Sequence, residues 1–135
     1  MCLGIYIATD RTLAEVPWDP SAPAFNLGPL SDQELPVRAQ FSLPHLYYAA
    51  AHTQCACGFS PTEEPDDTAR RASLRALVVC LKPVVQDGTV ELFVCWDGDY
   101  AAAPQQRLQL PLDELEHDPR WLEERSFVAV VQAAA

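Results

Sequence analysis

Residues 66–96 read DDTARRASLRALVVCLKPVVQDGTVELFVCW, and they contain both element types from which the fold is built. In the first part Leu74, Leu77, Val78, Leu81, Val84 and Val85 recur at three- and four-residue spacing, which draws one apolar stripe along a helix. Asp66, Asp67 and Thr68 place capping oxygens and negative charge at its start. Pro83 cannot donate to the carbonyl four residues back, so a kink or an end is expected there. The helix is predicted over 67–86. Asp87-Gly88 makes a tight exit, and Val90 to Trp96, rich in β-branched and aromatic residues, is the strongest strand signal in the chain.

The same reading extends outward. Leu3 to Thr9 is a predicted strand, with Leu3, Ile5 and Ile7 on its core face. Five prolines between residues 16 and 36 make that stretch an ordered surface loop, pinned by Trp18, Phe25, Leu27 and Leu30. Val37 to Ser42 alternates and reads as a second strand, and Leu46 to Ala51 as a third. Residues 60–68, with Pro61, Pro65 and four acids, form an exposed acidic linker and the stretch most prone to disorder. After a turn at Asp97-Gly98-Asp99, Arg107 to Leu110 reads as a returning strand. Pro111 to Glu124 holds a short helix or two turns anchored by Trp121 and Leu122, and Ser126 to Gln132 is the last strand. Strands, one helix, then strands predict an α+β fold: a mostly antiparallel sheet of five or six strands, with the long helix packed on one face.

Composition fits one domain over 1–135. The chain has 135 residues, of which 49% are apolar, enough for a core. Nineteen acids against nine bases give a net charge of −10. A duplex carries roughly one negative charge per 1.7 Å, so this balance excludes nucleic acid and anionic membrane as partners. No apolar run reaches the roughly 18 residues of a membrane span. The segment Met1 to Ile7 lacks the basic leader of a secreted protein, which points to the cytoplasm and to reduced cysteines. Their odd number, five, also speaks against a disulfide framework.

One constellation can carry chemistry. His52-x-x-Cys55-x-Cys57 is the densest group of soft ligands in the chain. Residues two apart in an extended segment point to the same side, so both thiolates can reach one ion, and Gly58 would let His52 curl in. Thiolate with imidazole suits zinc. Cys2, at the start of the first strand, is the candidate fourth ligand, with His45 in reserve. Four protein ligands make a closed structural or regulatory site, whereas three leave a position for a reactive water.

The same side chains have a second reading, a metal-free thiol enzyme or sensor with His52 as base to Cys55 or Cys57. The third reading leaves the cysteines to packing and gives the acidic surface to a protein partner. Cys80 and Cys95 read as core residues, and Asp97-Gly98-Asp99 as a turn. Whether the protein is an enzyme stays open at this point.

Two resemblances add context. Met1-Cys2-Leu3-Gly4-Ile5 resembles the opening of glutamine amidotransferases of the N-terminal-nucleophile class, over those five residues alone. That class stacks two sheets between helices, and this chain is too short and too poor in strands to do so. Met1-Cys2-Leu3, Pro17-Trp18-Asp19, Phe41 to Tyr48 (FSLPHLYY), His52-x-x-Cys55-x-Cys57-Gly58-Phe59 and Cys95 to Asp99 (CWDGD) together resemble a family of short bacterial proteins with no established activity. The resemblance implies a free-standing cytoplasmic protein and carries over no residue roles.

Overall fold

Alternate residues of the first strand enter two different apolar layers. The computed structural model describes residues 2–132. In it β1 (Leu3–Thr9) sends Leu3, Ile5 and Ile7 beneath the long helix and Tyr6 into a second layer on the opposite face. The further strands are β2 (Asn26–Gly28), β3 (His45–Ala50), β4 (Val90–Trp96), β5 (Gln106–Pro111) and β6 (Ser126–Val131), and the helix is α1 (Asp67–Asp87). They form one six-stranded sheet in the order β2-β3-β1-β4-β6-β5. All neighbours are antiparallel except β5 and β6, which run parallel. The fold is the expected α+β class.

The helix forms where its stripe demands. Asp66 caps it by accepting the Ala69 N–H at 3.1 Å. Leu74, Leu77, Val78, Leu81, Val84 and Val85 are all buried against the sheet, each contributing roughly 1.5–3 kcal/mol by removal from water. The helix runs past Pro83 to Asp87, one residue beyond the predicted range of 67–86. Pro83 and Val79 both face solvent, so the carbonyl that loses its donor can be hydrated instead. Among the described residues no helix is long and apolar enough to cross a membrane.

The second layer corrects the sequence reading at two places. Residues 37–42, expected as a strand, belong to a 3-10 helix at Asp32–Gln40 and its exit. Pro36 suits a helical turn and cannot donate to a ladder, while the Glu34 carboxylate accepts both the N–H and the hydroxyl of Ser31. The apolar alternation served one buried anchor, Val37, which packs with Tyr6, Phe93, Cys95, Tyr100 and Phe127. β5 is no hairpin partner of β4 either. The turn after Trp96 exists, with Gly98 at φ +100°, but β6 lies between the two strands and β5 takes the sheet edge.

The smaller differences are local. The proline-rich stretch contains β2, tied by Leu27 to Val16. Residues 60–68 are mostly exposed, yet Ser60 is buried and Glu64 is held by His52. The region after β5 folds as two 3-10 turns, Leu112–Glu116 and Pro119–Leu122, with Trp121 fully buried.

Candidate functional site

β3 runs antiparallel to β1 with Ala49 opposite Ile5, so the chain leaves β3 at the level of Leu3 and Cys2. It then folds back at once. Gln54 takes a left-handed conformation (φ 64°) and donates its N–H to Ala51 O at 3.0 Å, while Ala51 N–H donates to Cys55 O at 3.2 Å. A 3-10 turn at Ala56–Phe59 follows, anchored by the buried Ala56 and Phe59. Gly58 is required by space, since a Cβ there would lie 2.7 Å from both Ala51 Cβ and Thr53 Oγ1.

This loop brings sulfur atoms from two distant segments around one peptide unit. Leu3 N–H donates to Cys57 Sγ at 3.2 Å, and Cys57 N–H donates to Cys55 Sγ at 3.5 Å. The Cys55 thiol donates to Leu3 O at 3.7 Å and interacts with the sulfurs of Cys57 and Cys2. Burial pushes the Cys55 thiol up to about 12, with the Cys57 N–H acting in the other direction. Cys2 is exposed and the other two are half-buried, so the cluster runs from solvent inward. Cys2, Cys55 and Cys57 thus converge. Among the described residues, however, no group of three or more His, Cys, Asp or Glu side chains is already placed to hold a metal ion.

His52 does not join them. Its Nδ1 lies 3.0 Å from Ser73 Oγ and its Nε2 lies 2.9 Å from Glu64 Oε2. Its backbone N–H donates to the same Ser73 hydroxyl at 3.1 Å, and its carbonyl accepts the Trp18 indole N–H at 3.1 Å. A hydroxyl, an imidazole and a carboxylate in this order have the composition of a hydrolytic relay. Here Ser73 is fully buried on α1, where no substrate carbonyl reaches it. The array is a clamp that ties the loop to α1 and to the acidic segment.

His45 is also remote, pairing with Thr9 at the other end of β1, roughly 20 Å from Cys2 at strand spacing. Cys95 is fully buried and its thiol is pushed up to about 12, mainly by burial and further by Asp99, Asp97 and Glu34. Cys80 packs at the edge of the helix-side core.

Two clefts flank Leu3. One, of about 580 Å³, has Leu3, Trp96, Leu122, Pro61 and Pro119 in its walls and no sulfur. The other, of about 170 Å³, opens at Cys2 and is walled by Gly4, Tyr6, Glu34, Tyr48 and Asp97. Nothing in the sequence singles out Ser73 or Glu64 as partners of His52, or Glu34 and Asp97 as neighbours of Cys2. They lie 21, 12, 32 and 95 positions away from those residues and match no spacing rule. Comparison with protein-family models, curated proteins and solved structures finds no match to this chain.

Proposed function

We propose that Cys2, Cys55 and Cys57 bind one thiophilic transition-metal ion, zinc in the first instance, in a structural or regulatory role. The observation that supports this reading is the convergence of three thiols on Leu3, with backbone N–H groups aimed at two of the sulfurs. Such N–H donors stabilise thiolates and recur behind metal-bound cysteines. Binding would draw the three sulfurs inward from their hydrogen-bonded positions and expel the Cys55 proton, so metal uptake releases protons and strengthens as pH rises. With three sulfur ligands a fourth position stays open to water or an exogenous ligand. The reading belongs to a reducing compartment, the cytoplasm, where the thiols stay free.

A second reading is favoured by the exposure of Cys2 beside the half-buried Cys55. In it Cys2 attacks a peroxide ROOH to give Cys2–SOH and ROH, and Cys55 then displaces water to close a Cys2–Cys55 disulfide.

Elemental analysis of protein purified without an affinity tag or added metal separates the two. One zinc per chain in wild type, reduced in Cys2→Ser and absent from the Cys55→Ser/Cys57→Ser double variant, is the expected result. Wild-type protein without metal and with all five thiols titrating free would sink the metal reading. A peroxide-induced Cys2–Cys55 bridge in that same protein would establish the second.

A further inference from the structure

The cleft at Cys2 has walls that suit a particular kind of ligand, independently of whether the thiols bind metal. Its base is formed by Tyr6, whose ring folds back over Gly4. A Cβ at Gly4 would lie 2.8 Å from that ring, so only glycine leaves the space. Tyr6 packs tilted against the half-exposed Tyr48, with ring centroids 5.7 Å apart, and edge-on to Tyr100 at 5.9 Å. Two carboxylates face the opening. Glu34 accepts the Tyr6 hydroxyl at 2.7 Å, and Asp97 accepts the hydroxyl of Tyr100. The other Glu34 oxygen accepts the N–H and hydroxyl of Ser31, so every side-chain and backbone donor to the two carboxylates is neutral. Among the described residues neither carboxylate is paired with an Arg, Lys or His.

The electrostatic consequence is visible around the cleft. Burial holds the phenols of Tyr6, Tyr48 and Tyr100 and the thiol of Cys95 above their ordinary ranges, and the charge of Glu34 adds to the shift in all four. The phenols of Tyr6 and Tyr100 therefore remain donors to the carboxylates and cannot neutralise them. An aromatic wall with two carboxylates that no cation among the described residues pairs attracts a cation through both the ring face and the charge. The ring argues for an organic cation over a hydrated metal ion, and acceptor oxygens on the rim favour one that can donate hydrogen bonds. The volume of about 170 Å³ accommodates a head group of a few heavy atoms.

We propose that this cleft binds the primary ammonium group of a small amine, seated against Tyr48 between Glu34 and Asp97, with the Cys2 thiol at its mouth.

The test is a titration of the full chain with n-butylammonium chloride, followed by tyrosine fluorescence and amide NMR. Neutral n-butanol and sodium chloride of equal ionic strength are the comparators, and a chain acetylated at its amino terminus removes competition from its own amine. Saturable shifts confined to the Tyr6, Tyr48 and Glu34 region are expected with butylammonium and not with butanol. Glu34→Gln keeps an oxygen for the Tyr6 hydroxyl, and it should weaken binding about tenfold, the loss of one charge-assisted contact. Asp97→Asn, on an exposed turn that does not carry the core, should act in the same direction. Equal shifts with butanol, no saturation in either form of the chain, or undiminished affinity in both variants would overturn the proposal.

Discussion

The two halves of residues 52–57 meet different fates. His52 turns toward α1, where both ring nitrogens are satisfied by Ser73 and Glu64. Cys55 and Cys57 turn toward the start of β1, where Leu3 and Cys2 meet them. Six consecutive residues thus divide into a structural clamp and a reactive cluster, separated by the left-handed turn at Gln54. The lesson is that ligand-like spacing reports which side chains lie close along the chain, whereas coordination depends on which way each one leaves the backbone.

That division can be broken outright at Gly58, which packs against the clamp side through Ala51, Thr53 and His52 Cε1. Gly58→Val forces a branched side chain into space already filled by Ala51 and Thr53. A loss of about 3 kcal/mol or more in denaturant unfolding is expected, together with faster alkylation of Cys57. A variant as stable as wild type would show that the loop is not held by this packing.

A sharper test removes one half only. His52→Ala leaves Glu64 and the buried Ser73 hydroxyl without the imidazole, at an expected cost of about 2 kcal/mol. The thiol cluster should keep its metal stoichiometry in that variant. Loss of metal at unchanged stability would instead make His52 a ligand and unite both halves in one site.

A further effect concerns pH. Cys55 and Cys95 both have folded-state values of about 12 against an ordinary thiol value of 9.0. The unfolded chain therefore releases these protons first, and the folded state binds more protons throughout the intervening range. Stability of the metal-free protein should be level below pH 9 on this account and fall as pH rises toward 12. Urea midpoints measured across that range check it. A flat profile would mean that the thiols ionise as easily inside the fold as outside, contrary to the burial of Cys95.

Legibility in the sequence followed the type of signal. β1, α1 and β4 were readable almost to the residue, because long apolar periodicities leave only one face that can be buried. Residues 37–42 were not, because a short alternating run reads the same whether it is a strand or a 3-10 turn with one anchor such as Val37. β5 and β6 were readable as strands, but their parallel pairing was not, since periodicity carries no direction. For the site, Cys55 and Cys57 were marked by their spacing and Cys2 by its place just ahead of β1. The partners of His52 and the carboxylates beside Cys2 carried no such mark.

What the amino-acid order determined by itself is the long elements β1, α1 and β4 and their buried faces. Those follow from local geometry, which repeats every 3.6 or every 2 residues and needs only neighbouring side chains to be expressed. Tertiary structure alone decided that the loop after β3 meets Cys2, that His52 faces Ser73 and that Glu34 and Asp97 share a cleft. Each of these depends on the order and register of strands in the sheet. Strand order and register are settled by how whole layers pack together, with contributions from segments far apart in the chain.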